Sequence, residues 1–145
     1  MPSSKTRLDR LLGSLGYCAR KEVAVLLKKE VITHIENLPL KPDTKVSHEE
    51  ILFESEPLDP PQGMVILMHK PAGYVCSHDD DEGRLVYDLL PPRWRLRDPK
   101  ISTVGRLDKE TSGLLLLTDD GAPLHRLTSP KPKVPKAYEA TLDRP

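Results

Sequence analysis

The most informative part of the chain reads Gly105-Arg106-Leu107-Asp108-Lys109-Glu110-Thr111-Ser112-Gly113-Leu114-Leu115-Leu116-Leu117-Thr118-Asp119-Asp120-Gly121. Apolar residues lie on both sides of a short charged loop, a pattern typical of two strands joined by a turn. We therefore predict strands at Ile101–Leu107 and Leu114–Thr118, and a turn at 119–121 that closes the second strand.

Two charged residues of this loop, Arg106 and Asp108, are candidates for chemistry. A carboxylate at a sheet edge can act as a nucleophile or general base when it is partly desolvated and paired with a cation. A guanidinium group suits phosphate contact or stacking among bases. A turn aspartate and a surface arginine in a salt bridge show the same pattern, and the spacing alone favours this structural interpretation.

The rest of the second half also has the pattern of strands and turns. We predict a strand at Met64–Met68 and a short helix at Leu85–Leu90. A further strand is predicted at Ala137–Leu142, where apolar and polar residues alternate.

The chain begins with an amphipathic helix. We expect Thr6 to cap it, with Asp9 three residues later as in a capping box, and Gly16 to end it. The apolar stripe at i, i+3, i+4 and i+7 consists of Leu8, Leu11, Leu12 and Leu15.

Three further elements are predicted in the first half. A second helix covers Ala19–Lys29, a hairpin around Glu36 and Asn37 covers Val31–Leu40, and a last strand covers Ile51–Phe53.

Proline marks a boundary near the middle of the chain. Of the 15 prolines, 12 lie from Pro57 onward, and the cluster at 56–63 cannot form a helix interior or a central strand. We interpret residues 58–62 as a stiff linker between a domain at 1–57 and a domain at 63–145. The predicted fold class is α+β.

Composition excludes several classes of protein. The longest apolar runs, Met64–Met68 and Leu114–Leu117, are far shorter than the ~18 residues of a membrane helix. Two cysteines are too few for a disulfide framework or a zinc site. The acidic run at 78–82 is typical of a solvated loop, because consecutive acids face different directions. We predict a soluble, cytoplasmic protein without a metal site or a membrane partner.

The charge is neutral only as a sum. Lys and Arg number 22, as do Asp and Glu, and a net charge of zero argues against a nucleic-acid partner. The balance is nevertheless +4 over residues 1–35, −5 over 36–60, +4 over 84–106 and +3 over 121–145. Basic patches therefore exist, and neutrality excludes nothing.

The helix pair carries the candidate RNA-binding residues. Their spacing along the two helices allows a basic face, while a solvated helix surface remains the alternative. The candidates are Arg7, Arg10, Arg20, Lys21 and Lys28.

The motifs of the second half closely resemble those of the RsuA-type pseudouridine synthases, which modify bacterial small-subunit rRNA. The run at 105–121 resembles the family's central motif, and the others match in order and spacing. These are Lys70-Pro71-Ala72-Gly73-Tyr74-Val75, Val86-Tyr87-Asp88-Leu89-Leu90-Pro91, His125-Arg126-Leu127-Thr128-Ser129-Pro130 and Lys136-Ala137-Tyr138-Glu139-Ala140-Thr141-Leu142. The N-terminal helix pair resembles the S-four RNA-binding module that precedes this catalytic domain.

The resemblance implies roles for three residues. Asp108 takes the position of the catalytic aspartate, which attacks or assists at the ribose so that the uracil detaches, rotates and rejoins through carbon. Arg106 takes the position of the residue that fills the space left by the flipped base, and Tyr138 that of the tyrosine stacked on the flipped uracil. Without the family, Tyr138 also fits a core tyrosine on an alternating strand. No cofactor is implied.

The chain departs from the family pattern at both ends. Lys29 and Glu30 stand where the module usually has a glycine and a basic residue. The family's catalytic domain continues past the strand of Tyr138 to a basic residue that pairs with the aspartate, and we expect this chain to lack that part.

Three hypotheses follow. The first is a monomeric isomerase that converts a uridine of small-subunit (16S) rRNA, its partner, to pseudouridine. The second is a truncated RNA-binding remnant without catalysis. The third is a synthase that acts on large-subunit (23S) rRNA.

Overall fold

The computed structural model of the protein describes residues 4–129, 135 and 137–143. Over these residues the fold is α+β, with short helices and three small antiparallel sheets. None of the described helices is long and apolar enough to cross a membrane.

The regular elements are short. The strands are β1 Thr6–Arg7, β2 Ile32–His34, β3 Lys45–Val46, β4 Ile51–Phe53, β5 Glu56–Pro57, β6 Val65–Lys70, β7 Ser102–Val104 and β8 Gly113–Thr118. The α-helices are α1 Leu8–Ser14, α2 Val23–Lys28 and α3 Gly121–Thr128. Single 3-10 turns lie at Arg20–Glu22, His48–Glu50, Asp80–Glu82, Val86–Leu89 and Pro92–Leu96.

The first hydrophobic core forms around α1, whose predicted leucine stripe is buried. The predicted cap is wrong: Thr6 pairs with Val46 in the sheet of β1 and β3, and no side chain caps the helix. Asp9 instead accepts two hydrogen bonds from Arg7. The helix ends as predicted before Gly16, which has a φ of 82°.

The predicted hairpin at Val31–Leu40 is wrong. Its first part, β2, pairs with the distant β4 in the register Ile32 with Phe53 and His34 with Ile51. Pro39 has no N–H to donate to a returning strand, whereas Ile51 brings a buried side chain to the same core. The predicted second helix forms as a 3-10 turn followed by α2.

The proline-rich segment is docked at its beginning. β5 pairs with β4, and Leu58 is buried in the first core. Asp59 contacts both halves of the chain, as described below. The domain boundaries at 57 and 63 remain a prediction.

The second core lies under the sheet of β6, β8 and β7, in that order. The predicted strands of this sheet form, although the strand predicted at Ile101–Leu107 is shorter in the structure, Ser102–Val104. The predicted helix at Leu85–Leu90 is a 3-10 turn. One face of this sheet is buried, while the other carries apolar side chains that are exposed: Val65, Leu67 and Leu114.

Two predictions near the end of the chain are wrong. The expected turn at 119–121 is the start of α3, where a side-chain oxygen of Asp120 accepts a hydrogen bond from the N–H of Ala122 at 3.0 Å. Such N-caps use the same Asp and Gly residues as turns. Described residues 137–142 form no strand, because no described strand pairs with their backbone groups.

Candidate active site

The loop between β7 and β8 lines an open cleft of about 830 Å³. Arg106 and Asp108 both lie in this loop, and both residues are exposed. Cys76, Glu82 and Thr103 also line this cleft. The structure therefore brings two of the three site residues of the sequence prediction to one cleft.

A buried lysine supports this loop from below. Lys70, at the end of β6, is 0% exposed, and its Nζ donates hydrogen bonds to four backbone carbonyl groups of the described residues. The acceptors are the carbonyl oxygens of Pro71 at 3.1 Å, Asp108 at 3.0 Å, Lys109 at 3.0 Å and Thr111 at 2.7 Å. Three of these four belong to the Asp108 loop, so the ammonium group fixes the backbone that carries the carboxylate.

Backbone hydrogen bonds complete the support of the loop. The N–H of Gly73 donates to the carbonyl of Lys109 at 2.7 Å, and the N–H of Thr111 donates to that of Asp108 at 3.0 Å. The turn after β6 is thus tied to the loop between β7 and β8. This arrangement fixes the backbone of the loop that carries Asp108, as preorganisation of a site requires.

Lys70 is not among the site residues predicted from the sequence. A signal was present, because Lys70 follows Ile66 and Met68 at alternate positions of β6 and therefore faces the core. Its three partners in the Asp108 loop could not be read from the sequence, since they are backbone carbonyls 38 to 41 residues away.

A stacked pair of rings lies next to Thr103, one of the residues that line the cleft. His78 stacks on Tyr87 with ring centroids 4.1 Å apart, and the hydroxyl of Tyr87 accepts a hydrogen bond from the N–H of Thr103 at 3.3 Å. Burial raises the pKa of Tyr87. Burial and the nearby charge of Lys100 lower the pKa of His78, so this ring is neutral at neutral pH. Both side chains contact β7, since Nε2 of His78 also lies 3.3 Å from the hydroxyl of Ser102.

Tyr138, the third site residue of the prediction, does not line the cleft within the described part of the chain. Its side chain is 88% exposed. Its role therefore remains a prediction.

The five candidate RNA-binding residues are all exposed. Arg10 and Arg20 line a second open cleft of about 980 Å³, together with His48, Gln62 and Asp98. We call this the basic groove. Arg7 differs, because its guanidinium is paired with Asp9 at 2.8 Å. This hydrogen bond raises the pKa of Arg7 and lowers that of Asp9.

Lys21 and Lys28 lie outside the lining of the basic groove. Among the described residues, no group of three or more His, Cys, Asp or Glu side chains could hold a metal ion.

The second half of the chain is similar to a known protein family. Residues 64–145 match the sequence profile of the family described as RNA pseudouridylate synthase. The chain belongs to this family. The matched range includes the Asp108 loop, Lys70 and Tyr138.

Individual relatives match over nearly the whole chain. An uncharacterized RNA pseudouridine synthase of Bacillus subtilis is 41% identical over 143 residues, which cover 94% of this chain and 57% of the relative. Ribosomal small subunit pseudouridine synthase A of Pasteurella multocida is 38% identical over 141 residues, 96% of this chain and 60% of the relative. The chain thus spans less than two thirds of the length of these curated relatives.

A solved structure is also similar. The crystal structure of a pseudouridylate synthase shares 32% sequence identity with the chain, with a TM-score of 0.41 over 88% of this chain and 54% of the other.

Proposed function

We propose that the chain is an rRNA pseudouridine synthase that isomerises a uridine of small-subunit rRNA, with Asp108 as its nucleophile. The observation that carries this proposal is the exposed carboxylate of Asp108, which lies in a cleft on a loop fixed by Lys70, within the range that matches the family. The choice of rRNA rests on relatives such as the Pasteurella multocida protein, whose name specifies the small subunit.

The proposed reaction requires no other reactant. The carboxylate of Asp108 attacks C1′ of the ribose, and the bond from C1′ to N1 of uracil breaks with its electron pair going to N1. The uracil rotates, C5 then forms the new bond to C1′, and the carboxylate leaves. C5 loses its proton and N1 gains one, so product and substrate have the same atoms. A carboxylate beside a carbon that develops positive charge lowers the barrier.

The target base must leave its stack before Asp108 can reach the ribose. Flipping a base costs a few kcal/mol, and we propose that Arg106 offsets part of this cost by filling the vacated space. Arg106 lies two residues from Asp108 and lines the same cleft. We assign Tyr138 to stacking on the flipped uracil.

We also propose that residues 1–57 form an S-four-like RNA-binding domain. Support comes from the helix pair and from the exposed cations on it. Arg10 and Arg20 line the basic groove and are the strongest candidates for phosphate contacts. The paired charge of Arg7 makes it a weaker candidate than these two.

One observation favours a second function, RNA binding without catalysis. The outer face of the sheet of β6, β8 and β7 leaves Leu67 and Leu114 each 70% exposed, and exposed apolar faces of this kind mark surfaces that another polypeptide covers. If activity depends on that covering polypeptide, the chain alone binds RNA and does not form pseudouridine.

Mapping of pseudouridine by primer extension tests the proposal. Small-subunit and large-subunit rRNA transcripts are treated with the wild-type chain, with Asp108→Asn and with Glu110→Gln, a matched exposed acid of the same loop. We expect a stop at a uridine of the small-subunit transcript with the wild type and Glu110→Gln, and none with Asp108→Asn. A stop only on the large-subunit transcript would show that the substrate is large-subunit rRNA. Stops of equal strength with the wild type and with Asp108→Asn would refute the catalytic role of Asp108.

A further inference from the structure

A cluster of polar contacts joins the two halves of the chain. Arg93, in the 3-10 turn of the second half, donates to Asp59 through Nε at 2.7 Å and through Nη2 at 3.0 Å. The same guanidinium lies 4.2 Å above the ring centroid of Tyr17, which follows α1 in the first half. We call Tyr17, Asp59 and Arg93 the latch.

The residues of the latch also make further contacts with each other and with the first core. The N–H of Asp59 donates to the hydroxyl of Tyr17 at 2.7 Å, and the carbonyl of Asp59 lies 2.7 Å from Nε2 of His48. The Tyr17 ring packs against Phe53 in the first core, with centroids 4.7 Å apart. A two-pronged arginine–carboxylate pair fixes direction as well as distance. Its hydrogen bond from Arg93 also lowers the pKa of Asp59.

Backbone contacts bring the two halves closer still. The N–H of Asp98 donates to the carbonyl of Ser14 at 2.9 Å. A Cβ on Gly16 would lie 2.5 Å from the carbonyl oxygen of Arg93, and the φ of +82° at Gly16 also favours glycine. The end of α1 therefore fits against the 3-10 turn only because residue 16 has no side chain.

A buried ion pair continues the connection to the catalytic sheet. Arg97 donates through Nε and Nη2 to one oxygen of Asp119, at the end of β8, at 3.0 and 2.7 Å. Its Nη2 also donates to the carbonyl of Pro60, and the other oxygen of Asp119 accepts from the N–H of Gly63. The proline-rich segment is thereby tied to the strand that follows the Asp108 loop.

From these contacts we infer that Tyr17, Asp59 and Arg93 are positioning residues that determine which uridine is modified. Domains joined by a linker move relative to each other unless their interface prevents it. The latch holds the basic groove, lined by Arg10 and by Gln62 of the junction, at a fixed position relative to Asp108. An RNA can then occupy both clefts only if its groove-binding part and its target uridine are correctly spaced. This inference rests on the proposed function.

The latch is tested by Asp59→Asn, Arg93→Gln and Arg93→Lys, with Arg95→Gln as the matched control. Arg95 lies in the same 3-10 turn and forms an ion pair with Asp88 at 2.9 Å, but that partner belongs to the second half. NMR relaxation of backbone amides gives the rotational correlation time of each half without RNA. We expect equal times for the two halves in the wild type and in Arg95→Gln, unequal times in Asp59→Asn and Arg93→Gln, and an intermediate result for Arg93→Lys.

The affinities for two RNAs then distinguish a role of the latch in positioning the RNA from a purely structural role. One RNA is a small-subunit rRNA transcript, and the other is an oligouridine too short to reach both clefts. Because a second contact gains from a high effective concentration, we expect latch variants to bind the transcript about tenfold more weakly. Binding of oligouridine and both affinities of Arg95→Gln should stay unchanged.

The outcomes distinguish this inference from the proposed function. Halves that tumble independently in the wild type, or together in Arg93→Gln, would refute the latch whether or not the chain forms pseudouridine. Unequal tumbling with unchanged transcript binding would refute its role in selecting RNA. Absence of pseudouridine with the wild type would instead count against catalysis alone.

Discussion

The two faces of the sheet of β6, β8 and β7 consist of similar residues but have opposite surroundings. On the inner face, Leu117 is buried and Lys70 is 0% exposed. On the outer face, Leu67 and Leu114 are each 70% exposed, and Val65 is 63% exposed. The inner face is thus the one on which a lysine, Lys70, is fully buried and supports the Asp108 loop. Substitutions on the two faces should therefore differ in their effect on stability.

Replacing Lys70 by Met should have the largest effect. The four carbonyls that accept from its ammonium group would lose their donor, and each buried group left unsatisfied costs about 1–3 kcal/mol. Denaturation by urea measures the free energy of unfolding. Lys109→Met, an exposed lysine of the same loop, is the control and should change it little. Equal values for the two variants would show that Lys70 does not anchor the loop.

Leucine truncation contrasts the two faces directly. Leu117→Ala should reduce the free energy of unfolding by about 2–5 kcal/mol, because it leaves a cavity in the second core. Leu114→Ala, three residues away on the outer face, should change it by less than about 0.5 kcal/mol. The same urea experiment measures both. A similar loss at both positions would mean that the outer face is covered in solution.

A polar substitution on the outer face should alter the surface and leave the fold intact. Leu67→Ser removes an exposed apolar side chain, so we expect weaker fluorescence of a dye that binds apolar surfaces and little change in stability. Ile35→Ser, an exposed apolar residue of the first half, is the control. A larger decrease in dye fluorescence at Ile35 would place the main apolar surface elsewhere.

The smallest effect concerns pH. His78, stacked on Tyr87 beside the inner face, has a lowered pKa because of burial and Lys100. A lowered histidine pKa means that the unfolded chain binds protons more readily, so the stability contribution is present above the unfolded value of about 6.5 and is lost as pH falls through the folded pKa.

Unfolding curves at several pH values compare the wild type with His78→Gln. The decline in wild-type stability below about pH 6.5 should be slightly steeper than that of the variant. Parallel curves would contradict the assigned pKa shift.

The sequence predicts the strands of this sheet but not the surroundings of its faces. Apolar runs at 64–68 and 114–118 are sufficient to indicate β6 and β8, because strand propensity is local. The pairing of β2 with β4 could not be predicted, since it joins residues about twenty positions apart and competes with an apparent hairpin. Asp120 was interpreted as a turn because N-caps and turns share the same residues.

The candidate site was predictable to the same extent. Asp108 and Arg106 lie in a local motif, and both line one cleft. Lys70 and the latch depend on partners far along the chain, such as Asp59 and Arg93, which are 34 residues apart. Nothing in either residue's neighbourhood distinguishes it from the other charged residues of the chain.

The central claim is that Asp108 breaks and remakes the glycosidic bond. It is tested most directly by release of tritium from C5 of uracil in labelled small-subunit rRNA, because the proposed reaction removes that hydrogen. The account predicts release with the wild-type chain and with Glu110→Gln, and none with Asp108→Asn. Release at the wild-type rate from Asp108→Asn would contradict it.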